Sequence, residues 1–143
     1  MASSTAPCGG AKKLRGATAL AGVEGVILDV ALDASADVAT ITLTGPADVW
    51  FGFGFGAVQM GDRPWTVVVE VDATTRKAVV SERKLGGPNP NTHVEGDLLK
   101  PSVTLVSDTL SASGATRVVV LTRALKVSSL YLPLHFVRIL LTI

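Results

Sequence analysis

The sequence is poor in the residues from which most catalytic and metal sites are built. It contains one cysteine and two histidines among 143 residues, so an intrachain disulfide is impossible and a zinc cluster of familiar spacing is excluded. Neither a nucleophile elbow nor a phosphate-binding loop motif occurs. The acidic residues are scattered over predicted turns and form no carboxylate pair. We therefore expect no metal-ion site and no enzymatic activity of the chain on its own.

Charge and long apolar runs are also scarce. Charged residues make up 17% of the chain and the net charge is +1, which gives no electrostatic argument for a nucleic-acid partner. No stretch approaches the ~18 apolar residues that a spanning helix requires, and no signal peptide is visible in the first ten residues. The mean hydropathy of +0.44 is high for a soluble domain and indicates sheet faces that are covered by a second sheet or a partner.

What the chain does have is a series of short stretches with strand-like alternation, separated by turn signals. Seven of them are clear, at 25–32, 38–43, 49–56, 65–72, 77–84, 102–110 and 116–125. This spacing is typical of an antiparallel β-sandwich or barrel. Residues 1–22 are rich in Ser, Thr, Ala and Gly and are predicted to form a flexible N-terminal segment. The remainder, 23–143, is predicted to be one domain.

The stretch 49–56 combines aromatic residues with glycines. Its three phenylalanines fall on one face, whereas Gly52 and Gly54 fall on the other. Glycine within a strand marks a bend or the close approach of another backbone or a ligand. Two interpretations follow: a neighbouring sheet or loop packs closely on the glycines, or the glycines form a flat seat for a planar ligand beside Trp50.

Three further residues are candidate ligands for a haem iron. A Met thioether and a His imidazole form a known axial pair for haem, and the chain offers Met60, His93 and His135. Each also has a structural interpretation. Met60 can fill a gap at the end of a sandwich, His93 can be a solvated loop residue, and His135 can lie within an apolar terminal strand.

Several segments together resemble the DOMON domain family. They are Asp48-Val-Trp-Phe-Gly-Phe-Gly-Phe-Gly56, Met60, the Val-rich strand 67–71, Leu85-Gly86, the segment 102–107, and 116–125, which ends in Thr-Arg-Ala-Leu. The family typically has a Trp before a Gly-Phe-Gly strand, a Met a few residues later, and an Arg-x-Leu near the end. The resemblance covers roughly residues 25–125. Residues 126–143 differ from the usual ending of the family and are expected to be divergent or truncated.

The resemblance implies an immunoglobulin-like antiparallel β-sandwich that is extracellular or membrane-associated and binds a ligand. Some members bind b-type haem for electron transfer, with an early Met and a late His as axial ligands. Met60 and His135 match that order, with His93 as the second choice for the His. Trp50, Gly52 and Gly54 would border the macrocycle. Such a domain would serve a redox enzyme or a membrane cytochrome as an accessory.

Two alternatives stay open beside haem. One is a module that binds a carbohydrate or another small ligand, with Trp50 or Trp65 as a stacking platform. The other is a structural or protein-interaction domain whose apolar C-terminal segment contacts a partner. The sequence favours no particular oligomeric state.

Overall fold

The computed structural model describes residues 13–19, 25–55, 62–86 and 96–125. Within these ranges the chain forms nine β-strands. They are β1 (Lys13–Ala19), β2 (Ile27–Asp33), β3 (Val38–Pro46), β4 (Phe51–Phe55), β5 (Trp65–Val71), β6 (Ala78–Lys84), β7 (Asp97–Leu98), β8 (Thr104–Leu110) and β9 (Thr116–Ala124).

The strands form two antiparallel sheets that pack as a β-sandwich. The larger sheet has the order β1-β2-β3-β9-β8 and the smaller one β4-β5-β6-β7. Buried residues of both sheets form one hydrophobic core: Val26, Leu28, Val30, Ile41, Leu43, Phe51, Phe53, Val67, Val69, Ala78, Val119 and Leu121. The predicted antiparallel β-sandwich is therefore confirmed.

The centre of the larger sheet shows how the alternating sequence produces this core. Burial alternates strictly along β3 and β9. Leu43 lies opposite Val119 in the ladder, and both side chains are fully buried. The threonines at 40, 42 and 44 take the alternate, half-exposed positions. The alternation predicts this strand over 38–43, but β3 continues to Pro46, which is tolerated there because it is the last residue of the strand.

The prediction of a flexible segment over 1–22 is wrong for Lys13–Ala19, which form β1. This strand pairs with β2 along its whole length. Lys13 Nζ lies 3.2 Å from Asp33, and Arg15 Nη2 lies 2.8 Å from Asp29. The basic residues thus lie against acids of the neighbouring strand, and the ladder orders a segment whose composition suggested disorder. The other residues of 1–22 lie outside the described ranges.

Each of two hairpin turns begins with an aspartate whose carboxylate accepts backbone hydrogen bonds. The Asp33 carboxylate accepts hydrogen bonds from the backbone N–H groups of Ser35 and Ala36. The hydroxyl of Ser35, the backbone N–H of Ala36 and the ammonium of Lys13 together lower the pKa of Asp33 to about 2. Asp72 accepts the equivalent backbone bonds from Thr74 and Thr75. These local bonds close the β2–β3 and β5–β6 connections.

A substitution at Gly45 would test how tightly the two sheets pack against each other. A Cβ at this position would lie 2.6 Å from the ring of Phe51, whereas a Cβ at Gly16 on β1 would contact nothing within 4 Å. We expect Gly45→Ala to lower the free energy of unfolding by about 1–3 kcal/mol, because Phe51 is fully buried and cannot move away easily. The matched variant Gly16→Ala should change it by less than about 1 kcal/mol. Urea denaturation measures both, and equal effects would show that the Gly45–Phe51 contact is loose.

Candidate functional site at the Trp65 end of the sandwich

β9 places a buried arginine at each end of the core. Its inward positions are Arg117, Val119, Leu121 and Arg123, all of them buried. The two apolar residues belong to the core, and the arginines flank them. Because a buried charge is costly unless it is paired and hydrogen-bonded, the partners of each arginine indicate its role.

Arg117 is held as a structural arginine. Its Nη1 donates to both carboxylate oxygens of Asp108, at 2.5 Å to Oδ2, and its Nη2 donates to the carbonyl oxygen of Arg76 at 2.9 Å. Its Nε is buried and has no partner among the residues described. Asp108 also accepts the backbone N–H of Ala78 at 2.6 Å. This network joins β8 and β9 of the larger sheet to the start of β6 in the smaller one.

Arg123 has far fewer partners. Its guanidinium carbon lies 4.5 Å from the ring centroid of Trp65, in a cation–π arrangement. Its Nε and Nη1 are buried and have no hydrogen-bond partner among the residues described. Burial lowers the pKa of the guanidinium, and the negative charge of Glu82 opposes that shift. Since arginine stays protonated at neutral pH, a cation with two unpartnered nitrogens lies at this end of the core.

Glu82 faces the same region from β6, but its oxygens are already occupied. They accept hydrogen bonds from Trp65 Nε1 at 3.0 Å, from Ser102 Oγ at 2.6 Å, from the Val103 N–H at 2.9 Å and from the Ser102 N–H. Burial raises the pKa of this carboxyl, but the hydrogen bonds outweigh burial and leave the pKa below its usual value. Glu82 is therefore an ionised acceptor that holds the Trp65 indole and the chain before β8.

An aromatic pair completes this end of the sandwich. The rings of Phe55 and Trp65 lie 4.9 Å apart, with 40° between their planes. Trp65 thus contacts Phe55, donates its N–H to Glu82 and packs against Arg123. We call Phe55, Trp65, Glu82 and Arg123 the Trp65 end. An aromatic platform beside an incompletely paired cation is suited to binding a ligand.

The residues that the sequence singled out lie elsewhere or outside the described ranges. Met60, His93 and His135 are outside them. Trp50 is half-buried and directly precedes β4, whereas Trp65 pairs with Phe55 at the other end of that strand. The two tryptophans therefore lie at opposite ends of the β4–β5 pair.

Gly52 and Gly54 are buried on the face of β4 opposite its core phenylalanines. A Cβ at Gly54 would lie 3.1 Å from Cγ of Pro64, and one at Gly52 would lie 2.6 Å from the carbonyl oxygen of Val67. At these two positions close packing of protein atoms takes the place of an open seat. Of the two interpretations of the glycines, this geometry supports the packing one. β4 is also an edge strand of the described sheet, and not a central one.

Sequence reasoning did not identify Glu82 or Arg123 as site residues. The signal was present, because Arg123 shares the alternating inward face of Val119 and Leu121, and Glu82 that of Ala78 and Val80. A charged residue on an apolar face indicates a buried charge. The pattern does not reveal whether such a charge has a partner, since the partner comes from the opposite sheet.

Comparison with known proteins identifies no relative. No family model, no curated protein and no solved structure matches the chain. In the part of the chain that the structure describes, no three His, Cys, Asp or Glu side chains group together as ligands for a metal ion would. The same ranges contain no helix that is long and apolar enough to span a membrane.

The contrast between the two arginines predicts opposite responses to an apolar replacement. Arg117→Met should lower the free energy of unfolding by about 3–5 kcal/mol, because Asp108 would be left as an unpaired charge in the interior. Arg123→Met should change it by no more than about 1 kcal/mol, because the lost cation–π contact is offset by removal of an incompletely paired charge. Urea denaturation measures both variants, and an Arg123→Met loss equal to that of Arg117→Met would indicate a structural role for Arg123.

The lowered pKa of Glu82 predicts how the stability of the fold should change with pH. Because its pKa is lower in the folded chain than the ordinary value of 4.5, ionised Glu82 stabilises the fold above about pH 4.5, and this contribution is lost as the pH falls through the folded pKa. Glu82→Gln should cost about 2–3 kcal/mol at pH 7 and should flatten the decline in stability below pH 4.5. Glu70→Gln, on the outer face of β5, is the matched control, and an equal flattening in that variant would contradict the assignment.

Proposed function

We propose that the chain is a non-catalytic ligand-binding module and that its ligand binds at the Trp65 end of the sandwich. The observation that supports this most directly is the pair of unpartnered nitrogens on Arg123, which is 5% exposed. Folded proteins hydrogen-bond nearly all buried polar side-chain atoms, so each exception calls for an explanation. A ligand that supplies the acceptor is such an explanation.

Arg117 provides an internal reference for this argument. Both arginines lie on the inward face of β9, yet both terminal nitrogens of Arg117 are bound, by a carboxylate and a carbonyl oxygen, and only its Nε lacks a partner. The fold is thus able to pair the charged end of a buried arginine where only structure requires it. Among the described residues no carboxylate or carbonyl oxygen does the same for Nη1 of Arg123, which supports a binding role.

The chemistry of the same residues favours binding over catalysis. A general acid or base needs a pKa near the working pH and a free position for the proton. Glu82 has a lowered pKa, and its oxygens accept four hydrogen bonds from Trp65, Ser102 and Val103. It holds other groups in place and is poorly suited to proton transfer.

Haem b remains the specific ligand that the resemblance to DOMON domains suggests. Met60 and His135, or His93 in place of His135, would hold the iron, and bound haem would supply one-electron transfer. The support for this version is the resemblance alone, since the three ligands lie outside the described ranges. Among the described residues, protein atoms lie 2.6 and 3.1 Å from the Cβ positions of Gly52 and Gly54, which is evidence against a macrocycle that rests on these two glycines. A carbohydrate stacked on Trp65 is the alternative within the same proposal.

A protein-interaction role has one structural feature in its favour. β8 is an edge strand of the larger sheet as described, and Leu105, Val106 and Leu110 on it are exposed. Edge strands that carry exposed apolar residues can pair with another chain. Such pairing would accompany ligand binding at the Trp65 end and would not replace it.

Haemin addition distinguishes the versions of the proposal. If haem is the ligand, the absorbance spectrum should show a sharp Soret band, with narrow α and β bands after reduction. Met60→Ala should remove this low-spin spectrum, and so should His135→Ala if His135 is the axial ligand. Loss of the spectrum in His93→Ala instead would assign that place to His93. In all haem-competent variants, binding should also quench Trp65 fluorescence in a Trp50→Phe background, in which Trp65 is the sole tryptophan.

A spectrum equal to that of free haemin would contradict the haem version. Neutral and acidic monosaccharides are then titrated against the same Trp50→Phe protein, and quenching by a sugar would support the carbohydrate version. If neither haemin nor any of the sugars changes Trp65 fluorescence, the proposal that the Trp65 end binds a small ligand is wrong.

A further inference from the structure

We propose that the ligand of the Trp65 end carries a carboxylate, and that the guanidinium of Arg123 binds this carboxylate while it remains stacked on Trp65. The inference rests on the proposed function and specifies the chemistry of the ligand. It makes Arg123 a specificity-determining residue, one that selects acidic ligands over their neutral counterparts.

The shape of the guanidinium supports a carboxylate. The planar group has two edges, Nε with Nη2 and Nη1 with Nη2, and each can bind both oxygens of a carboxylate through parallel hydrogen bonds. Nε and Nη1 of Arg123 both lack partners in the described part of the chain, so each edge retains an unpartnered nitrogen. Because the guanidinium carbon lies over the Trp65 ring, 4.5 Å from its centroid, a carboxylate bound to either edge would lie near the indole.

Glu82 is close enough to act on Arg123 through its charge, but its oxygens are engaged with other donors. These donors are the Trp65 indole, the Ser102 hydroxyl and two backbone N–H groups. A rotation of Glu82 toward Arg123 would break four hydrogen bonds to part-buried donors, each a charge-assisted bond that contributes about 1.5–3 kcal/mol when fully desolvated and less here. The positive charge of Arg123 is consequently available to an external anion.

The position of these residues along their strands suits an approach from outside. Phe55 is the last residue of β4, and Trp65 is the first residue of β5. Arg123 is the last inward residue of β9 and is followed by exposed Ala124. All three therefore lie at strand ends, on the rim of the sandwich. The unpartnered nitrogens of Arg123 are buried, so the groups that cover them at this edge would have to move aside for a ligand, but neither ladder would have to separate.

Two kinds of ligand would supply this chemistry. Haem carries propionate carboxylates, and acidic sugars carry a carboxylate on the ring. The inference concerns the shared carboxylate, so the experiment compares each acid with a neutral counterpart: glucuronate with glucose, and haemin with haemin dimethyl ester. Trp65 fluorescence in the Trp50→Phe background reports binding in each titration.

We expect glucuronate, haemin or both to quench Trp65 at concentrations at which the neutral counterpart does not. Arg123→Gln should weaken binding of the acid by about 10- to 100-fold, as expected when a charge-assisted hydrogen-bonded pair is lost. Arg123→Lys, which keeps the charge but not the planar fork, should be intermediate. Arg15→Gln on β1, which removes an exposed arginine, is the matched control and should bind as the parent protein does. Urea denaturation of each variant verifies that it is folded.

The outcomes separate this inference from the proposed function. A response to glucuronate alone would support the inference with an acidic sugar as the ligand, and a response to haemin but not to its ester would support it with propionate. If acid and neutral counterpart bind equally and Arg123→Gln alters neither, the carboxylate inference is wrong while the binding module stands. If no probe alters Trp65 fluorescence, both are wrong.

Discussion

The ion pair between Arg117 and Asp108 is the contact on which the arrangement of the two sheets depends. Within the described residues no ladder joins the two sheets, and the apolar contacts between them carry no directional preference of their own. Arg117 and Asp108 make directional hydrogen bonds between the sheets. Arg117 donates to the Arg76 carbonyl oxygen, and Asp108 accepts from the Ala78 N–H at the start of β6. Replacing a buried pair with apolar residues is often neutral or stabilising. We therefore attribute to this pair the positioning of the sheets more than the stability of the fold.

At the other end of the sandwich Glu82 also connects the two sheets, and in addition it holds the Trp65 side chain in place. It binds the backbone of Ser102 and Val103, where the chain passes from the smaller sheet to β8 in the larger one. It also accepts the Trp65 N–H. The indole is thus held at its nitrogen by Glu82, while Phe55 and Arg123 contact the ring. An aromatic platform that is fixed before the ligand arrives loses little conformational freedom on binding.

The sequence predicts the parts of this fold that depend on local pattern. Alternation identifies β3 and β9, and the aspartates of the hairpins identify two turns. β1 is not predicted because Lys-Leu-Arg-Gly-Ala-Thr-Ala shows no apolar alternation. This strand is ordered by its ladder and by acids on β2. The candidate site at the Trp65 end is not predicted for a related reason. Arg123 and Glu82 are visible as charges on apolar faces, but their pairing is decided by strands of different sheets and by a crossover that no local pattern encodes.

Comparison of the two arginines of β9 indicates why an arginine occupies position 123. They lie six positions apart on one inward face, and so the same backbone presents both to the interior. Arg117 has acceptors for both of its terminal nitrogens and lacks one only at Nε, whereas Arg123 has an aromatic ring and a carboxylate engaged elsewhere. If stability were the sole requirement, an apolar side chain of similar length would serve at position 123, since it would remove an incompletely paired charge. Functional sites are where proteins tolerate such locally unfavourable arrangements. An anion that completes the hydrogen bonding of Arg123 would turn this local cost into binding energy.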